Sequence, residues 1–217
     1  KLDLMLGVVL KQEGSPELLW RAAQLSTMAY ALDMPGAAQR AEVLFAQLLE
    51  LKPKDGRAEY RFGLFLASKG EPERAKVHLE KALTLGMMEA EFSLGQVLRG
   101  MGQHEEAQRY YQQALQKQPM HTDARFNYAV NLEKQGLWEP ALCCYQQLTH
   151  DQPQHITAWH GLGSLLLRQR RLNEALGCYR RALMLSPDNA DLWHDCAIVL
   201  RDMQRHWLAL SCLWRAI

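Results

Sequence analysis

The sequence predicts an all-α protein, a linear stack of about six helix-turn-helix units sharing one core. Three observations predict it. The first is a set of registers with one period. Small residues recur at Ala29, Gly63, Gly95, Ala129, Gly163 and Ala197, separated by 34, 32, 34, 34 and 34 residues. Ala41, Ala75, Ala107, Ala141, Ala175 and Ala209 keep the same spacings. Leu32, Leu66, Leu98, Leu132, Leu166 and Leu200 make a third register, and Phe45, Leu79, Tyr111, Tyr145, Tyr179 and Leu213 a fourth. Self-similarity at such a period marks a repeat architecture. The second observation is helical spacing within a copy. Trp159, Leu162, Gly163 and Leu166 fall at i, i+3, i+4 and i+7, and Leu172, Ala175, Leu176, Tyr179, Ala182 and Leu183 form a second face. The third is punctuation. Lys69-Gly70 and Gln135-Gly136 separate the two faces of their copies, where glycine supplies a left-handed helix end. Pro53, Pro119, Pro153 and Pro187 close copies, because proline cannot continue a helix. A two-helix unit cannot cover its own apolar faces, so each copy is the surface on which the next packs.

The elements follow in order. Residues 1–14 read as one short helix ending at Gly14, a cap or the remnant of an upstream copy. The repeats occupy 15–217, at about 15–55, 56–87, 88–121, 122–155, 156–189 and a truncated 190–217. In the first copy, Ser15 is an N-cap before Pro16, which makes a longer first helix, and Met34-Pro35-Gly36 fills the internal turn. The second copy has 32 residues; its exit, TLGMMEA, lacks the closing proline, and Gly86 is expected to end the helix instead. Pro72 and Pro140 sit in the first turn of second helices, where a missing N–H costs little. Glu105 and Glu106 suit the positive end of another. Two helices joined by a tight turn approach closely only where a side chain is nearly absent. Gly163 and Ala175 mark that crossing, with Trp159 and Tyr179 filling the space around it.

Composition removes several function classes. A net charge of +1 argues against a nucleic-acid binder driven by bulk electrostatics and against a polybasic membrane anchor. No apolar run approaches the roughly 18 residues of a membrane span. Of the five cysteines, Cys144, Cys178 and Cys212 are spaced by 34, so they follow the repeat and not a metal or redox spacing. They read as small residues between helices. Unpaired thiols favour a reducing compartment, the cytoplasm. Lys1 is not an initiator Met, so a leader can have been removed, and a bacterial periplasmic or cell-envelope location is the alternative. No hydrolase elbow, P-loop or HExxH occurs. GLGSLL (Gly161 to Leu166) lies inside a helix, not after a strand, and is no phosphate cradle. The expectation is a protein without catalysis, cofactor or metal. His160 and His194 face the same way one copy apart, across roughly 10 Å between helices, but no third ligand accompanies them. His104, His121, His150 and His155 fall near turns and read as solvated, as does the run Arg168 to Arg171.

The copy carrying Trp159, Leu162, Gly163, Leu166, Ala175, Tyr179, Ala182 and Pro187 resembles the tetratricopeptide repeat (TPR) family, and the resemblance extends over about residues 22–217. It implies an α-α superhelix, a solenoid whose first helices line a concave groove. On that reading the stripe beside the core face points inward. Its first position holds Tyr60, Phe92, Phe126, His160 and His194. The next turn holds Leu64, Gln96, Val130, Ser164 and Ile198, and Arg99, Lys134 and Arg168 lie beyond. Asn127 completes the candidate partner-binding set. Rings of this kind offer contact area at low entropy cost to a peptide or helix of a partner protein. The alternative is that they fill the space between successive first helices. The family's clamp for chaperone C-terminal carboxylates is not matched: Asn127 fits, but Tyr60, Leu64, Thr157 and Gly161 stand where basic and amide partners belong. An asparagine ladder fails too, because Arg61, Ser93, Gly161 and Asp195 are level with Asn127. The expected function is therefore a protein–protein interaction scaffold. The alternatives are a non-catalytic recruiting arm of a larger enzyme, expected if more chain follows Ile217, or self-association through an open end near Leu208, Leu213 and Trp214.

Overall fold

The computed structural model describes residues 15–216; the helix expected over 1–14, and Ile217, lie outside the described residues. Twelve α-helices and no strand occur among the described residues. They are α1 (Pro16–Ala31), α2 (Ala37–Leu51), α3 (Gly56–Ser68), α4 (Pro72–Thr84), α5 (Glu89–Gly100), α6 (His104–Lys117), α7 (Thr122–Lys134), α8 (Trp138–Asp151), α9 (Ile156–Arg168), α10 (Leu172–Leu185), α11 (Ala190–Asp202) and α12 (His206–Arg215). The chain is an all-α solenoid of paired helices. It divides into two compact units, one up to Ala114 and one from Leu115, the division falling inside α6. In the first unit α1 pairs with α2 and α3 with α4, and α5 packs on α4. In the second, α7 pairs with α8, α9 with α10 and α11 with α12, while α9 rests on α8 and α11 on α10.

Close approach within three of the pairs rests on a missing side chain. A methyl group at Gly163 would stand 2.8 Å from Tyr179 Cε1, at Gly95 2.6 Å from Tyr111 Cε1, and at Gly63 2.7 Å from Leu79 Cγ. The large residue that lies on each glycine is the fully buried member of the fourth register. Gly161 has a separate duty: a methyl group there would meet Tyr145 Cζ at 2.7 Å, so it admits the second helix of the preceding copy. Both glycines of GLGSLL are thus packing devices. In the first unit the phenylalanines extend the scheme, with the Phe45 ring stacked on Phe62 at 5.1 Å.

The internal turns share one motif. The left-handed position is held by Gly70, Gly102 and Gly136, and by Arg170 and Gln204 in the last two copies. The N–H of the following residue returns to the carbonyl five residues back: Glu71 to Leu66, Gln103 to Leu98, Leu137 to Leu132, Arg171 to Leu166, Arg205 to Leu200. This is the Schellman closure that satisfies orphan helix-end carbonyls. In the first copy the left-handed residue is Asp33, and Met34 N–H returns to Ala29 O at 3.0 Å. Ala29, not Leu32, therefore occupies the leucine place, and Leu32 is 75% exposed. Met34-Pro35-Gly36 is a three-residue insertion in the turn, which moves the register of α1 by three and aligns Ser26 with Gly63. Gly86 ends α4 as expected: its φ is +89°, and Met87 N–H bonds Ala82 O at 3.0 Å.

Side chains secure the entries. Ser15 accepts from Leu18 N–H at 3.4 Å. Asp55 accepts from Ala58 N–H at 3.1 Å, and Asn189 from Leu192 N–H at 3.1 Å. His121 and His155 are not merely solvated. Each caps its helix through Nδ1, accepting from Ala124 N–H at 3.2 Å and Ala158 N–H at 3.1 Å. One further register ties three copies to the closing proline of the copy before each. Trp159 Nε1–H donates to Pro153 O at 2.9 Å and Trp193 Nε1–H to Pro187 O at 2.7 Å. In the copy before them Arg125 holds the same position and its guanidinium donates to Pro119 O.

Candidate partner-binding face

The candidate stripe lies along the first helices: α3 and α5 in the first unit, α7, α9 and α11 in the second. Helical spacing places its positions beside the core face, which is why most are half-buried. Tyr60, Phe92, Phe126 and His160 are half-buried, as are Leu64, Arg99, Asn127, Val130 and Ser164; Gln96, Lys134, Arg168 and His194 are exposed. The rings do not stand free. The Phe92 centroid lies 6.2 Å from Tyr111, and Phe126 lies 5.9 Å from Tyr145 and 5.5 Å from the capping His155.

Two first-position side chains reach the next first helix at the same place. Tyr60 OH and Ser93 Oγ are 3.3 Å apart, joining α3 to α5. His160 Nε2 donates to Asp195 Oδ2 at 2.7 Å, joining α9 to α11. The hydrogen bond to Asp195 raises the His160 pKa above its ordinary value, against the opposing effect of burial. His194 lies 4.0 Å from the other Asp195 oxygen. Ser164 Oγ is 3.2 Å from Tyr179 OH. Asn127 donates to Asp123 O at 2.8 Å within its own helix. Arg168 places its guanidinium 4.2 Å from the centre of the Trp138 ring, a cation–π contact. Its neighbours in the arginine run are engaged as well: Arg170 pairs with Asp202 and Arg171 with Glu174, each at 2.7 Å. Glu133, half-buried beside this stripe, has its pKa raised by burial.

The stripe thus combines space-filling contacts between first helices with exposed groups at its edges. Sequence reading missed the partners: Asp195 for His160, Ser93 for Tyr60 and Trp138 for Arg168. The first two carried a signal, since each pair is separated by one repeat length plus one residue. A pocket of about 450 Å³ opens between α1 and α3, with Leu64 and Arg61 in its lining. Among the described residues, no three His, Cys, Asp or Glu side chains come together as a metal site, and no helix is long and apolar enough to cross a membrane.

Comparison with known proteins places this geometry. Tetratricopeptide repeat models match residues 98–165 and 156–189. No curated protein sequence matches the chain. Among solved structures, YrrB, described as a TPR protein with an unusual peptide-binding site, is 24% identical. It superposes with a TM-score of 0.66 over 80% of this chain and 90% of its own. PilF of Pseudomonas aeruginosa is 17% identical, with a TM-score of 0.75 over 91% of this chain and 90% of that one. MamA from Desulfovibrio magneticus RS-1, also 17% identical, has a TM-score of 0.69 over 74% and 92%. At these identities the likeness is one of fold.

Proposed function

Because the chain is a tetratricopeptide repeat protein, we propose that it acts as a protein-interaction scaffold, holding a peptide or helix of a partner protein on its first-helix faces. One observation carries the reading. Tyr60, Phe92, Phe126 and His160 repeat at one register as half-buried rings, with Gln96, Lys134, Arg168 and His194 exposed beside them. Rigid rings flanked by adaptable polar groups are the composition of a binding surface. YrrB, of the same fold, is described as having a peptide-binding site, which supports assigning this one a peptide as well. The chain's part is binding, not catalysis. The test is to replace Phe92 and Phe126 with Ala, singly and together, and titrate a partner recovered with the intact protein. Weaker binding by folded variants is expected; unchanged affinity would remove the assignment.

A second reading, self-association, is favoured by α12. Trp207 is 86% and Trp214 81% exposed, with Leu208, Leu210 and Leu213 also open. Patches of this kind mark association surfaces. Sedimentation over a range of concentrations checks it, and Trp214→Ser is expected to abolish any concentration dependence.

A further inference from the structure

We infer that the pocket between α1 and α3 receives an apolar side chain, best an aromatic one, from a partner segment that carries carboxylates on either side of it. The inference rests on the scaffold reading and names the chemistry of what the first unit binds.

The register shift of α1 leaves its junction with α3 unlike the next one. At two junctions a first-position side chain reaches across to the next first helix: Tyr60 reaches Ser93 in the first unit and His160 reaches Asp195 in the second. With Ser26 aligned to Gly63, the corresponding residue of α1 is Ala23, and the residue it would reach is Arg61. A methyl group cannot span that distance. Arg61 is exposed and has no hydrogen-bond or ion-pair partner among the described residues. The bridge is missing at this one junction of the first unit, and the space beside it is the pocket of about 450 Å³.

The lining states what fits. Phe45 and Phe65 form a buried floor, and Tyr30 meets Phe65 edge to face at 5.4 Å. Met28 and Leu64 flank it, Arg61 stands in the same lining, and no Asp or Glu contributes. Pockets of a few hundred Å³ with an apolar body and few polar groups suit a single inserted side chain, and aromatic walls reward a ring most. The guanidinium beside that floor selects carboxylate by charge and by its forked geometry, and repels cations.

The test uses the full chain, isotopically labelled for NMR titration, and three capped five-residue peptides. One has a central phenylalanine flanked by aspartates, one the same aspartates around alanine, and one a central phenylalanine flanked by lysines. The aspartate–phenylalanine peptide is expected to move the amide signals of Thr27, Tyr30, Arg61 and Leu64, and to bind at least tenfold more tightly than the other two. Arg61→Glu, an exposed change that leaves the core intact, is expected to abolish that preference and shift it towards the lysine peptide; Arg61→Lys should retain part of it. Equal binding of aspartate and lysine peptides, or affinity indifferent to Arg61→Glu, overturns the inference. Shifts confined to Phe92, Phe126 and their neighbours would overturn the pocket assignment while upholding the scaffold. Absence of binding at every first-helix face would overturn both.

Discussion

Gly163 against Tyr179 shows how much one absent side chain governs. A methyl group placed 2.8 Å from the ring must displace it, and the tyrosine is fully buried with little room to yield. Gly163→Ala is therefore expected to cost about 1–3 kcal/mol in urea unfolding. Gly177, inside α10 with open space around its α-carbon, is the control. Gly177→Ala is expected to gain about 0.5–1 kcal/mol, because mid-helix glycine is entropically costly. The cysteines divide in a similar way. Burial pushes the Cys144 and Cys178 thiols up to about 11 and Cys196 to about 12, so at pH 8 they stay protonated and poorly nucleophilic. Cys143 is exposed. Iodoacetamide applied to the native protein should label Cys143 first by mass spectrometry; equally rapid labelling of Cys196 would contradict the packing. The thirty-four-residue spacing had already marked Cys178 and Cys212 as core residues. It also set Cys144 apart from Cys143, which stands outside the series and is exposed.

At the scale of the helix and its turn, the left-handed position separates copies that hold glycine from those that do not. Gln204 has φ +61°, a conformation costing an L-residue roughly 1–2 kcal/mol. Gln204→Gly is expected to stabilise the chain by about 0.5–1 kcal/mol, after the entropy glycine adds to the unfolded state, and thermal melts should show it. Arg170, at the same place one copy earlier, should gain less, since it gives up its pairing with Asp202. These turns were largely legible beforehand, because glycine, proline and helical periodicity act locally. Leu32 was not. The insertion at Met34–Gly36 lies between two residues that keep the spacing of their counterparts, Ala29 and Ala41 against Gly63 and Ala75, so a register shift of three left no trace in the count. Only the hydrogen bond from Met34 to Ala29 O reveals it. The substitution of Arg125 for tryptophan was equally hidden: guanidinium and indole look unrelated until both are seen donating to a proline carbonyl.

At the scale of the whole molecule, a stack of repeats draws its stability from nearest-neighbour contacts, so a single bridge between copies is felt in unfolding. The His160–Asp195 bond is such a bridge and depends on pH. Because folding raises the His160 pKa, its contribution is complete below the unfolded value of 6.5 and is lost as pH rises through the folded one. Melting temperature should fall across that rise, and the fall should be smaller in His160→Gln, which keeps a donor without a charge. The effect will be small, because the imidazole is nearly half exposed and solvent screens it. A fall of the same size in both proteins would assign the pH dependence elsewhere. The candidate face itself was legible as a stripe, since helix geometry alone selects residues four apart. What those residues touch was not, because their partners belong to other helices.

The three extra residues at Met34–Gly36 have a practical meaning. Helices α1 and α2 remain paired around them, and the copy that follows is built like the others. Length added at this bend is absorbed where it is added and is not passed down the chain. The bend is thus a port for grafting: a fluorophore tag or epitope spliced after Pro35 should leave every later junction in place.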